Sequence, residues 1–218
     1  MIAYNNNIGK YIQKKRTKSD NFSIISNDCW GAEGYRYLEL KYNTPFVGLF
    51  LMAPCYITLL QNFEEIIHSE LHFVNESKYQ QNNEFRLKIN KKYPIGILND
   101  NIEIHFLHYS SEKEAFENWN KRVKRINFEK LFFKFDCGKD LCTDEHITAF
   151  ENLAFKNKIC LSPKKYPNFK SILYIKNWEA DGAKMFTKTM KCFDVIGWIN
   201  EKQIKNPILL RIISLLLR

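Results

Sequence analysis

The sequence predicts an α/β fold, a three-layer α/β/α arrangement around a mainly parallel sheet that admits some antiparallel pairing. Three observations predict it. Short apolar runs rich in β-branched and aromatic residues alternate with helical patterns of about 12–14 residues, the signature of βαβ units. The chain has 218 residues, one domain or one with a small appendage at about 150 residues per domain. Hydrophobic residues make up 45% and aromatics 15%, enough for a core, while the scarcity of Gly (8) and Pro (6) excludes fibrous and low-complexity classes. No internal repeat is present.

Residues 1–20 are polar and basic, with Ile8, Tyr11 and Ile12 spaced as one stripe of a short helix. Residues 22–26 (FSIIS) read as a buried strand. The polar turn Asn27-Asp28-Cys29-Trp30-Gly31 follows, then a helix to about Tyr42. Thr44-Pro45 opens a second buried strand over 46–52 (FVGLFLM), and residues 55–68 read as helical. The stretch 74–92 is polar and irregular, with a strand at 85–89. Tyr93-Pro94-Ile95-Gly96-Ile97-Leu98 is apolar and Asn99-Asp100-Asn101 is a turn cluster.

Residues 102–109 (IEIHFLHY) alternate with the period of a strand. Glu103, His105, Leu107 and Tyr109 share one face; Ile102, Ile104, Phe106 and His108 share the other. Ser111 with Glu114 makes a capping box. The helix it opens carries its stripe on Ala115, Phe116, Trp119, Val123 and Ile126, with Glu117 and Lys121 paired in the favourable order. Residues 131–136 (LFFKFD) form a strand, 143–156 a helix capped by Thr143, and 158–161, 171–176 and 195–199 further strands. Residues 207–218 (PILLRIISLLLR) form a compact apolar helix with two arginines. The chain thus divides into a basic N-terminal segment (1–20), a single α/β domain (21–200) and an apolar-basic C-terminal helix (201–218).

Net charge is +9 and sits at the ends. Lys10, Lys14, Lys15, Arg16 and Lys18 oppose only Asp20; Lys202, Lys205, Arg211 and Arg218 oppose only Glu201. Such ends suit an anionic membrane surface better than a nucleic-acid groove, so no nucleic acid is expected as a partner. The C-terminal helix is too short to span a bilayer and reads as an interfacial anchor or as a helix docked on core or partner. The six cysteines lack a CxxC pair, no secretory signal precedes them, and they read as reduced thiols of a cytoplasmic protein.

Several positions carry chemistry. The turn from Asn27 to Gly31 follows a strand and opens a helix, the place where open α/β sheets hold phosphates. It reads equally as a capped turn with Trp30 in the core. Asp100, Glu103, His105 and His108 cluster in sequence. A carboxylate and an imidazole two residues apart can take a proton from a hydroxyl nucleophile, or can simply satisfy each other. Arg122 and Arg125, three apart on the helix of Trp119, can clamp a phosphate or form a solvated basic face. His68 and His72 are four apart, but Glu70 is misplaced for a zinc motif and no cysteine pair completes one. No metal and no cofactor is expected. Asp136 and Asp140 are too far apart in sequence for a DxD motif, and no HxxxxD acyltransferase box occurs.

The combination of Ser26-Asn27-Asp28-Cys29-Trp30-Gly31, Pro45-Phe46-Val47-Gly48-Leu49-Phe50, Tyr93-Pro94-Ile95-Gly96, IEIHFLHY and the helix bearing Ala115, Trp119, Arg122 and Arg125-Ile126-Asn127 resembles a bacterial family. That family is called exopolysaccharide biosynthesis protein, or domain-of-unknown-function family 1919. The resemblance covers about residues 20–160. The family usually shows Asn-Asn-Cys-Trp-Gly-Gly; Asp28 and Ala32 depart from it here. The resemblance implies an α/β/α fold and a role in making capsule, exopolysaccharide or lipopolysaccharide glycan. It implies no established reaction.

The expectation is therefore a transferase at the inner face of the plasma membrane. A nucleotide-sugar or other activated donor gives its glycosyl group to a lipid-linked saccharide acceptor. Asn27, Asp28, Trp30 and Gly31 hold the donor phosphates, with Asp100, His108, Tyr109 and Trp119 lining the site. Glu103 or His105 is the base, and Arg122 and Arg125 neutralise the leaving diphosphate. The alternatives are transfer of an acyl or other substituent to the glycan, or a non-catalytic scaffold of the assembly complex.

Overall fold

The computed structural model describes residues 3–178 and 184–202; of residues 3–8 it describes the helical backbone alone. The expected C-terminal helix over 207–218 lies outside the described residues. The fold is mixed α/β, with a four-stranded parallel sheet and a separate three-stranded antiparallel sheet.

The parallel sheet is built from β1 (Ser23–Ser26), β5 (Leu131–Asp136), β6 (Lys158–Ser162) and β7 (Ile172–Tyr174), in that spatial order. Its strands are nearly continuous apolar runs because helices cover both faces. Ile24 pairs with Phe132 and Ile25 with Phe133. One face packs Ile25, Phe133 and Phe135 on α3 (Ala53–Gln61) and α7 (Asp144–Asn152). The other packs Ile24, Phe132 and Leu161 on α2 (Trp30–Leu38), α8 (Met185–Met190) and α9 (Val195–Ile199). Each large apolar side chain so buried contributes about 1.5–3 kcal/mol. The Tyr56 hydroxyl donates toward the carbonyls of Ile25 and Lys134, 2.9 Å from each, and so fastens α3 under the β1–β5 pair.

The antiparallel sheet has β2 (Leu71–Val74), β3 (Ile95–Leu98) and β4 (Ile102–His105) in that order. Asn99 and Asp100 take left-handed φ values of 47° and 58° at the β3–β4 turn, a conformation their short polar side chains tolerate. α6 (Glu112–Val123) opens as expected: Ser111 accepts from the Glu114 N–H at 3.2 Å. The return bond of the box shifts by one residue, with Glu114 accepting from the N–H of Ser110 at 2.9 Å.

Five expectations are corrected. Residues 46–52 form no strand. Pro45 has no N–H to give, Gly48 turns to φ 70°, and the single ladder contact is an antiparallel bridge between Phe50 and His105. Residues 85–88 belong to α5 (Gln80–Lys88), with Ile89 as its C-cap; its Gln, Glu, Arg, Leu and Lys favour helix, and the alternating Phe85, Leu87 and Ile89 that imitate a strand are exposed. Residues 195–199 are the short helix α9, stopped from pairing by the Asp194 cap on the Gly197 N–H at 3.0 Å. The strand over 102–109 ends at His105: beyond it the His108 N–H reaches the Gly48 carbonyl at 2.9 Å, and the Leu107 and Tyr109 N–H groups turn back onto the carbonyls of His105 and Phe106. The helix after Trp30 also stops early, at Leu38, where Glu39 takes φ 58°. β2 was not expected at all.

The basic N-terminal segment is α1 (Ala3–Arg16). Tyr11 is exposed rather than part of an apolar stripe. Charge docks the helix instead: Lys10 and Lys14 pair with Glu39, and Arg16 forks onto Asp194 at 2.7 Å.

Candidate functional site

The carboxyl ends of β1 and β5 hold a compact charge cluster. Lys134 is fully buried inside β5, and its Nζ lies 2.7 Å from both carboxylate oxygens of Asp28. A second cation, Lys139 Nζ, stands 3.3 Å from Asp28 and 3.6 Å from Asp140. Asp136 Oδ2 is 3.9 Å from Lys134, and the carboxylate accepts from the Trp178 indole N–H at 3.0 and 3.1 Å. Asn27 stitches the two strands, its Oδ1 accepting from the Asp136 N–H at 2.9 Å.

The electrostatics divide the carboxylates. Burial alone would raise Asp28, but Lys134, Lys139 and the Trp30 N–H outweigh it and hold the group well below the usual carboxylate range. Asp136 is raised, burial outweighing the nearby lysines. Asp140 is pushed up to about 6, first by burial and then by Asp28 and Asp136, against the pull of Lys139. Its Oδ2 is buried and has no hydrogen-bond partner. Asp140 and Leu141 take φ values of 57° and 61°, two successive left-handed residues in one loop.

That loop separates two clefts. One, of about 450 Å³, is lined by Asp28, Cys29, Phe50, Phe85, His108 and Lys139 among others, with Asp140 at its edge. The other, of about 370 Å³, opens toward β6 over Cys137, Cys142, Thr143, Ser162 and Tyr166. Gln81, Lys139 and Asp140 line both. A larger cleft of about 780 Å³ lies apart, beside α5 and the start of α6, over Arg86, Lys91 and Tyr93. It holds none of the expected site residues; the terminal nitrogens of Arg86 and Lys91 bond backbone carbonyls, while Arg86 Nε and the Tyr93 hydroxyl are buried without a hydrogen-bond partner.

Of the expected residues, Asn27, Asp28 and His108 meet at or beside the first cleft. His108 is exposed there, its pKa lowered by desolvation and by Lys91. Trp30 is core, donating its indole N–H to Thr189 at 2.9 Å. Gly31 serves close packing: a Cβ there would lie 2.9 Å from Ile24 Cγ2. Glu103 and His105 do meet, Oε1 to Nε2 at 2.7 Å, with exposures of 1% and 0%. Glu103 also accepts from the Ser77 hydroxyl and, at 2.8 Å, from the Lys78 N–H. Burial would raise it, but the bonds from His105, Ser77 and Lys78 prevail and its pKa is lowered. His105 Nε2 lies 2.9 Å from the Asn82 amide nitrogen, and its ring stacks on Phe50 at 4.5 Å. The pair therefore sits one side chain behind the first cleft, which Asn82 and Phe50 line.

Asp100 is at the exposed tip of the β3–β4 turn. Trp119 is core, against Phe46 and Phe106. Arg122 donates to the Tyr109 hydroxyl and lies over the Tyr42 ring at 5.4 Å, while Arg125 reaches the Tyr42 carbonyl at 3.5 Å. Tyr109 is buried and donates its hydroxyl hydrogen bond to the Val47 carbonyl at 2.8 Å. None of these five lines the clefts that meet at Asp140. His68 lies in the turn after α4 (Phe63–Ile66) and His72 on β2, and no cluster of three metal ligands occurs among the described residues.

Lys134, Lys139 and Asp140 were missed as site residues. The signal was present: a lysine and an aspartate inside the apolar run LFFKFD, followed by CGKDLC. A charge that alternation places inside a buried strand needs a buried partner.

Comparison with known proteins settles the kinship. The family described as "Domain of unknown function (DUF1919)" matches residues 2–207. The chain belongs to the DUF1919 family. An uncharacterized protein of Haemophilus influenzae is 34% identical to this DUF1919 chain over 195 residues, 89% of this chain and 84% of that protein. No helix among the described residues of the DUF1919 chain is long and apolar enough to cross a membrane.

Proposed function

We propose that this DUF1919 protein is a glycosyl transferase of bacterial cell-surface polysaccharide synthesis, moving sugar from a nucleotide-sugar to a lipid-linked saccharide. The observation that carries the transfer reading is Asp140. One carboxylate, its pKa pushed up to about 6 and its Oδ2 making no hydrogen bond and facing Lys139 Nζ at 3.6 Å, stands where two clefts meet. A base poised near neutrality is suited to a hydroxyl nucleophile, and two clefts on one base suit two substrates. The polysaccharide setting is supported by the motif resemblance.

In this reading Asp140 takes the acceptor hydroxyl proton as its oxygen attacks the anomeric carbon. The bond from that carbon to the diphosphate breaks, and the nucleoside diphosphate leaves with the electron pair. Lys139 supplies the positive charge facing it. Glu103 and His105 are positioning residues, holding α5 so that Gln81, Asn82 and Phe85 wall the cleft. Arg122 and Arg125 fasten Tyr42 and Tyr109 and take no part in the transfer.

The test is a ligand screen by thermal unfolding with nucleotide-sugars, nucleoside diphosphates and acyl-CoA, since a ligand of the native state raises the midpoint by mass action. A shift with one nucleotide-sugar, kept in Asp140→Asn while release of its nucleoside diphosphate is lost, is the expected outcome. A shift with acyl-CoA alone moves the assignment to acyl transfer. No shift with any of them, with polysaccharide output unchanged by Asp140→Asn in cells, leaves a scaffold.

A further inference from the structure

Two kinds of side chain line the first cleft. Asp28, Lys139 and Asp140 form one charged group, with Lys139 Nζ at 3.3 and 3.6 Å from the two carboxylates. Phe50, Phe85, Leu107 and Met185 are apolar. Phe50 is a fixed wall. Its N–H bonds the His105 carbonyl at 3.0 Å, and the His105 N–H bonds the Phe50 carbonyl at 2.9 Å. Its ring lies flat on the His105 imidazole, 4.5 Å away at 9°, and Tyr93 meets it edge-on at 6.2 Å. Glu103 holds that imidazole at 2.7 Å. One face of Phe50 is therefore taken up inside the protein, while the half-buried side chain walls the cleft. Phe85 joins the wall from α5 and is 40% exposed. Gln81 and Asn82 bring two carboxamides to the same cleft, each with a donor and an acceptor.

The geometry points to a nucleotide subsite: the first cleft takes the nucleobase of the donor against Phe50 and Phe85, with the Gln81 and Asn82 amides at the base edge and the phosphates turned to Lys139. The inference rests on the donor half of the transfer reading and assigns the second cleft to the acceptor. A nucleobase has a flat π-face for aromatic side chains and donors and acceptors on its edge for amides. A lipid chain offers the amides nothing, and a sugar phosphate lacks the flat face. The volume, about 450 Å³, lies in the ordinary range for small-molecule sites.

The experiment uses the full chain and needs no turnover. Calorimetric titrations compare uridine, adenosine and guanosine diphosphates with ribose 5-phosphate and inorganic pyrophosphate. At least one nucleoside diphosphate is expected to bind more tightly than both controls. Phe85→Leu and Phe50→Leu are each expected to weaken it about five- to 150-fold, the worth of one stacked aromatic. Phe85→Tyr, at an exposed position, is expected to keep the affinity, which separates stacking from apolar burial. Nucleoside diphosphate binding that the leucine variants leave unchanged, or that ribose 5-phosphate equals, overturns the base assignment and leaves the transfer reading standing. Ring-dependent binding with no nucleoside diphosphate released from any nucleotide-sugar supports the subsite and overturns the transfer. A wild-type chain that binds no nucleoside diphosphate overturns both.

Discussion

Asp140 is unusual among the charged residues because its surroundings resist its charge. The folded chain keeps the Asp140 proton up to about pH 6, whereas the ordinary value is 3.8. The folded state therefore binds the extra proton, and stability falls as pH rises through that window. The loss amounts at most to on the order of 3 kcal/mol at pH 7, a net figure that already contains the pull of Lys139. Asp140→Asn keeps a side chain that tolerates the left-handed backbone. It is expected to raise stability at pH 7 by about 1–2 kcal/mol while abolishing transfer, and to flatten the pH dependence between 4 and 6. Urea unfolding at pH 4.5 and 7 checks this; parallel pH dependences for the two proteins would refute the assignment. Asp28 behaves oppositely. Its lowered pKa means that its ion pair with Lys134 stabilises above about pH 4 and fades as acid protonates it. Asp28→Asn leaves Lys134 buried with Asp136 only at 3.9 Å. A cost of about 3–5 kcal/mol in urea unfolding at pH 7 is expected, and a cost under about 1 kcal/mol would mean that the lysine does not depend on this charge.

The next scale is the packing of α2 on β1, which sets where the Asn27–Asp28 turn lies. Gly31 is helical, so alanine there gains about 1 kcal/mol of intrinsic helix propensity. Its Cβ, however, would meet Ile24 Cγ2 at 2.9 Å and Ser26 Cβ at 3.4 Å on the strand beneath. The strand cannot retreat without disturbing its pairing to β5, so overpacking wins and Gly31→Ala is expected to destabilise by about 1–3 kcal/mol. Thermal unfolding decides it; an unchanged or raised midpoint would show that the helix simply slides outward. Elements whose local signals agreed were legible in the sequence. In β5 the apolar Leu131, Phe132, Phe133 and Phe135 suffice, and in α6 the Ser111 cap coincides with the buried Ala115 and Trp119, although Phe116 of the expected stripe is exposed. Where local pattern and tertiary context conflicted, context prevailed. Residues 46–52 are apolar because they lie between β1 and β4, with Leu51 N–H on the Asn27 carbonyl at 2.9 Å, and not because they join a sheet. The alternation of Phe85, Leu87 and Ile89 reflects exposure on a polar helix rather than a buried face.

Across the whole molecule, the site was only partly legible for a related reason. Asn27 and Asp28 stood out because a strand, a polar turn and a helix are contiguous there. Their partners Lys134 and Lys139 come from β5 and the loop after it, more than a hundred residues away, and pairing of β1 with β5 is a long-range event that no local window contains. Charge distribution shows the same dependence on tertiary structure. The N-terminal cations counted as free for a membrane are largely engaged within the fold, Lys10 and Lys14 by Glu39 and Arg16 by Asp194. The two arginines of the apolar segment 207–218 then carry the membrane proposal. In flotation with vesicles containing phosphatidylserine or phosphatidylglycerol, Arg211→Glu with Arg218→Glu is expected to release the protein. Lys10→Glu with Lys14→Glu is expected to leave binding nearly intact and to lower the thermal midpoint by loosening α1 from α2. Raising salt to about 1 M, where the Debye length is about 3 Å, should mimic the arginine changes only in part, because apolar contact persists. Flotation that survives the arginine changes but is lost with the lysine changes would reverse the assignment and place the membrane contact on the face of α1.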